Sequence, residues 1–147
     1  MIKIVIKNLG KLVSMKNKVI EAVGVVIINR DKKVLIAKRK PDKAMPNKWE
    51  FPGGKLEENE TLQECGIREI KEELELDICI DEYIGFEDLE HEQKKFCLHI
   101  YTAHKIDESQ VLKLNEHSDA VWADTNDLAD YDFPAIDLPF VKKIREH

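Results

Sequence analysis

The stretch from Gly53 to Leu76, GGKLEENETLQECGIREIKEELEL, constrains this chain more than any other. Its two adjacent glycines permit a turn with backbone angles closed to other residues. Thr61 then opens a helix, because Thr61 with Glu64 at the third position forms a capping box, each side chain satisfying a free N–H at the helix start. Leu62, Cys65, Ile70 and Leu74 supply an apolar stripe for a sheet, while Glu60, Arg68, Glu69, Glu72 and Glu73 are polar. Glu72 and Glu73 follow Glu69 at i+3 and i+4, so three carboxylates lie near one side of the helix.

Like charges at this spacing repel by about a few tenths of a kcal/mol per pair unless a cation sits among them. Magnesium is such a cation: it takes oxygen ligands and bridges carboxylates to substrate phosphates. The Gly53-Gly54 turn can add backbone carbonyls, Glu57 and Glu60 lie in the loop before the helix, and Arg68 can pair with a loop carboxylate and hold the loop down. The plain alternative is a solvated surface helix, for which EIKEELE is ordinary. It leaves the glycine pair, Glu57, Glu60 and Arg68 unexplained.

Around this stretch the pattern is strand-rich. Residues 19–28 read as a buried strand, and after a polar turn residues 33–38 read as its hairpin partner in the same sheet. Residues 41–48 form a loop, and Trp49 to Phe51 a short strand stopped by Pro52. Further strands are expected near 78–88, 95–104 and 119–123, with a final helix over 138–144. Strands on both sides of one helix, and a helix at the end, predict an α/β sandwich with a mixed sheet between helices. Residues 1–18 alternate apolar and charged positions and read as an N-terminal extension, either an extra strand or an overlong start before Met15; the domain proper is 19–147.

A chain of 147 residues is one domain's length, and 43% apolar residues suffice for one core. The net charge of −6 makes a poor binder of a nucleic-acid polymer but allows a small polyphosphate held through a metal. Cys65, Cys79 and Cys97 form no CxxC pair, and an odd count without a signal peptide points to a reducing, cytoplasmic setting. Cys65 reads as a small buried hydrophobe. No apolar run reaches membrane-spanning length. His91, His99, His104, His117 and His147 make no compact zinc spacing and read as scattered surface or packing residues.

The 53–76 stretch resembles the signature of the Nudix hydrolases: Gly54, Glu60, then Arg68-Glu69-Ile70 and Glu72-Glu73 at the family's spacing. One departure is Glu75, where the family has a glycine that ends the helix in a left-handed conformation; a side chain there costs about 1 kcal/mol or shifts the helix end. Lys38-Arg39 and the run Asn47-Lys48-Trp49-Glu50-Phe51-Pro52 resemble the MutT-like branch, which acts on oxidised-guanine or cytidine-type nucleoside triphosphates.

The resemblance implies a Nudix α/β/α sandwich binding Mg2+, with Mn2+ a possible substitute. Glu69, Glu72 and Glu73 become the principal ligands, with the Gly53 carbonyl and Glu116 added; Glu69 or Glu116 activates water, and Arg68 supports the set. Arg39 and Lys55 are implied near the phosphates, Phe51, Phe96 and Leu98 as pocket walls, and Asp137 as the base reader. Each has an ordinary reading too: surface cations, core packing, and for Asp137 a helix N-cap before Leu138. The expected partner is a small nucleoside triphosphate, and the expected state a monomer or homodimer. Competing readings are a hydrolase of nucleotide sugars or other diphosphate derivatives, a non-catalytic nucleotide sensor, and an acidic interaction domain.

Overall fold

The computed structural model describes residues 18–147, with Ile136 as backbone only. The expectation for the N-terminal extension therefore lies outside the described residues, Lys18 apart. Strand β1 (Val19–Ile27) runs inside a four-stranded sheet ordered β4-β1-β6-β5, with β4 at Gly53–Lys55, β5 at Ile78–His91 and β6 at Lys94–Lys105. Its pairing with β6 is parallel, whereas β1–β4 and β5–β6 are antiparallel, so the sheet is mixed. A second, antiparallel sheet is ordered β3-β2-β7, from Trp49–Glu50, Val34–Arg39 and His117–Ala123.

The expected hairpin between residues 19–28 and 33–38 does not form. A single bridge between Ile28 and Val34 joins them. The turn itself is tight: the Asn29 side chain accepts from the N–H groups of Asp31 (3.0 Å) and Lys33 (2.9 Å), and the Asn29 N–H donates to the Lys33 carbonyl at 3.0 Å. β2 instead takes the backbone groups of β3 and β7.

Helix α1 (Leu62–Leu74) carries both halves of the Thr61–Glu64 capping box. It ends where the family pattern places the end, with Glu75 itself left-handed at φ 53°, ψ 37° and its N–H donating to the Lys71 carbonyl. The helix keeps its length and accepts the strained cap.

Alternation along β1 divides the interior in two. Val23, Val25 and Ile27 pack with Ile70, Leu74 and Tyr101 beneath α1. Val26 packs with Ile36, Ile100, Phe133, Phe140 and Ile144 beneath α2 (Leu138–Glu146). Helices thus cover both sides, as the α/β sandwich requires. Among the described residues no helix is long and apolar enough to cross a membrane.

Candidate active site

The two glycines make close contacts of different kinds, Gly53 with backbone and Gly54 with a side chain. A Cβ on Gly53 would lie 1.9 Å from the Val23 carbonyl oxygen, so only a bare Cα lets the turn close on β1. A Cβ on Gly54 would lie 2.4 Å from the Glu69 carboxyl carbon. The turn therefore sits directly against the Glu69 carboxylate.

Arg68 organises the loop around that contact. Its Nε and Nη2 donate to the two oxygens of Glu60 (3.0 and 2.7 Å), Nη2 also donates to the Lys55 carbonyl, and Nη1 donates to Glu69 Oε1 at 2.8 Å. Glu57 stands 3.5 Å away and gives its backbone N–H to Glu60. With Arg68 as first cause and the Glu57 N–H as second, Glu60 is held down to about pKa 2. The support expected of Glu57, Glu60 and Arg68 is thus formed geometrically, loop to helix.

The three aligned glutamates differ in burial along the side they share. Glu73 points inward and accepts the Gly53 N–H at 3.1 Å, and Glu69 is also largely covered. Glu72 sits at the exposed rim, 3.3 Å from Arg68. Burial pushes Glu73 up to about 9, and Glu50, Glu69 and Glu116 add to it; Glu69 is likewise raised, chiefly by burial. Several carboxylates thus converge with too little positive charge among them, and an all-oxygen donor set of this kind fits a hard divalent cation. Glu116 arrives from the loop after β6. That loop caps α1: Lys113 and Asn115 donate backbone N–H groups to the Leu74 and Glu73 carbonyls, and Asn115 Nδ2 donates to the Glu72 carbonyl and the Glu75 carboxylate. Glu116 then lines a small pit with Arg39, Lys43, Glu50, Glu73 and His117.

Beside the pit opens a cleft of about 330 Å3, lined by Arg39, Phe51, Lys55, Phe96, Leu98 and Asp137 among others. Phe51 is anchored on Phe133, ring centroids 5.5 Å apart. The Lys55 ammonium lies 5.9 Å over the Phe96 ring at the cleft's edge. Asp137 precedes α2 yet makes no capping hydrogen bond with its side chain. Burial, then Glu50, raise its carboxyl to about 7, against the pull of Arg39.

Two residues at the centre of this arrangement were missed as site residues. Glu50 accepts from Arg39 Nη1 at 2.5 Å and lies 3.7 Å from His117 Nε2, on the wall between pit and cleft. His117 is buried, and its Nδ1 has no hydrogen-bond partner. Glu50 had a signal, since an acid between Trp49 and Phe51 must face away from their side. His117 had none, because its approach depends on β7 pairing with β2.

Residues 18–144 match the NUDIX domain. The chain belongs to the Nudix hydrolases. It is 31% identical to the CTP pyrophosphohydrolase of Escherichia coli (strain K12) over 85% of this chain and 90% of that protein. It is 42% identical to the 8-oxo-dGTP diphosphatase of the same organism over 48% of this chain and 53% of that one. The solution structure of the E. coli ORF135 protein superposes with a TM-score of 0.75 at 30% identity, covering 88% of this chain and 90% of the other. The fold is that of a catalytic Nudix hydrolase, and its Nudix box implies a magnesium site.

Proposed function

We propose that this Nudix hydrolase is a magnesium-dependent nucleoside triphosphate pyrophosphohydrolase that releases a nucleoside monophosphate and pyrophosphate, with a cytidine-type triphosphate as its preferred substrate. The observation that carries the reading is the apolar cleft with the uncommitted Asp137 carboxylate in its wall, directly beside a pit of converging glutamates.

Glu69, Glu72 and Glu73 would hold magnesium, or manganese in its place, with the Gly53 carbonyl and Glu116. Bound magnesium supplies positive charge for the phosphates and acidifies water for in-line attack on phosphorus. Glu69, fixed through one oxygen by Arg68 and raised by its burial, takes the proton of the attacking water. Arg39 and Lys55 face the phosphates and offset charge developing on them. Phe51, Phe96 and Leu98 enclose the base, and ionised Asp137 accepts from its exocyclic amino group.

The long match to a CTP pyrophosphohydrolase supports the cytidine preference. The 42% identical stretch shared with an 8-oxo-dGTP diphosphatase favours a second reading, in which Asp137 meets the donor-bearing edge of oxidised guanine. Pyrophosphate release with magnesium from CTP, dCTP, 5-substituted dCTPs, dGTP and 8-oxo-dGTP separates the two. Preference for cytidine forms is expected. Selective turnover of 8-oxo-dGTP establishes the second reading, and turnover of none overturns the triphosphatase assignment in favour of a nucleotide sensor or a diphosphate substrate.

A further inference from the structure

We propose that Glu21, Cys97 and His99 form a second metal site, apart from the carboxylate pit, that takes a borderline divalent cation of the zinc type. The three come from neighbouring strands. Glu21 on β1 is the register partner of Cys97 on β6, and His99 follows on the same face of β6. One ligand atom from each lies within 4.8 Å of the others. The face is the α1 side of the sheet, the side of Val23 and Tyr101, and so opposite to the cleft walled by Phe96 and Leu98.

The spacing suits tetrahedral coordination. Zinc–sulfur and zinc–nitrogen bonds of about 2.3 and 2.0 Å, at a tetrahedral angle, separate the two donors by about 3.5 Å. Cys97 Sγ and His99 Nε2 are 3.5 Å apart. Glu21 Oε2 is 2.6 Å from the same Nε2 and needs to retreat by about 0.7 Å to reach ligand spacing. It can do so, because the Glu21 side chain is 43% exposed while His99 is 15% exposed and Cys97 is buried. Two donors are thus held rigidly and the third is free to adjust, with the fourth position left to water.

The ring of His99 is also oriented as a ligand. Tyr83 Oη lies 2.9 Å from His99 Nδ1. Once a cation displaces the proton that Nε2 shares with Glu21, Nδ1–H donates to that phenol oxygen and Nε2 presents its lone pair, the second ring nitrogen being held in place as in other histidine ligands. One thiolate, one imidazole and one carboxylate select zinc-like ions over magnesium, which takes oxygen only. A second trio, Cys79, Asp81 and His104, is exposed in all three members and has no phenol on its imidazole: both Asp81 oxygens already bond His104 Nδ1. It serves as the internal comparison.

The test is titration of the full-length chain with Co2+ in excess Mg2+, so that magnesium occupies the carboxylate site on α1. A thiolate-to-cobalt charge-transfer band and tetrahedral visible bands, saturating at one equivalent, are expected. They should vanish in Cys97→Ser, persist in Cys79→Ser, and need at least tenfold more Co2+ in Glu21→Gln, whose half-exposed site leaves folding intact. Tyr83→Phe should weaken binding about tenfold. Absence of a thiolate band in the wild-type chain overturns the proposal. So does a band that survives Cys97→Ser, or one lost in Cys79→Ser, or a Glu21→Gln titration that matches wild type.

Discussion

Replacing Gly54 by alanine tests the contact between the glycine turn and the helix without removing any charge. The added methyl would lie 2.4 to 2.6 Å from the carboxyl carbon and oxygens of Glu69. Ordinary contact needs about 3.4 Å, so the carboxylate must withdraw by about 1 Å, since the turn behind it is fixed against β1 by Gly53. A misplacement of that size at a reacting centre costs about 100-fold in rate. Stability should move much less. Alanine restricts the unfolded chain and returns about 0.4–1 kcal/mol, while loosening the Glu69–Arg68 bond forfeits a charge-assisted hydrogen bond that three other Arg68 contacts back up. Kinetics of pyrophosphate release against magnesium concentration, with thermal melting of the same preparation, read both effects. A kcat that falls about 100-fold with a melting temperature within a few degrees of wild type is expected. Turnover within threefold of wild type refutes the placement of Glu69 at the reaction, and collapse of the fold refutes the claim that the contact is local.

Glu73→Gln should abolish turnover yet raise the melting temperature of the metal-free protein, because it relieves a buried carboxylate crowded by Glu50, Glu69 and Glu116; equal or lower melting temperature contradicts that crowding. Arg68→Lys keeps the charge but loses the paired bonds to Glu60 and should cost about 1–3 kcal/mol in chemical denaturation, with weaker magnesium activation. Asp137 titrates near 7 in the fold against an ordinary 3.8, so between those values the folded protein keeps a proton that the unfolded chain has lost. Its contribution to stability therefore falls as pH rises through that window. The ionised acceptor grows over the upper part of it, so kcat/KM for a cytidine triphosphate should climb from pH 6 to 8 in wild type and stay flat in Asp137→Asn. A wild-type profile unchanged by the substitution removes Asp137 from base recognition.

Local features were legible in the sequence because their causes are local. The Thr61–Glu64 box, the glycine pair, the Arg68 clamp and the left-handed helix end at Glu75 depend on residues a few positions apart, and each lies at its expected place. Pairing across the chain was harder. Nothing in residues 19–38 says that β2 pairs with β3 and β7 rather than with β1 beyond a single bridge. Helical spacing alone could not say that Glu69 and Glu73 turn inward while Glu72 stays at the rim, since the Gly53 N–H and the loop capping α1 decide it. The gathering of Glu50 with His117, and of Glu21 with Cys97 and His99, follows from strand partners distant in sequence.

The two-sidedness of β1 has a practical meaning for altering this protein. The side chains Phe96, Leu98 and Asp137 line the cleft from one side of the sheet and from the start of α2, whereas Glu69, Glu72 and Glu73 belong to α1 on the other. Among the described residues Arg39, Glu50 and the glycine turn touch both compartments. On the proposed function, substitutions at Phe96 and Leu98 should alter substrate preference while the α1 carboxylates keep their arrangement, with β1 as the partition that insulates one set of changes from the other.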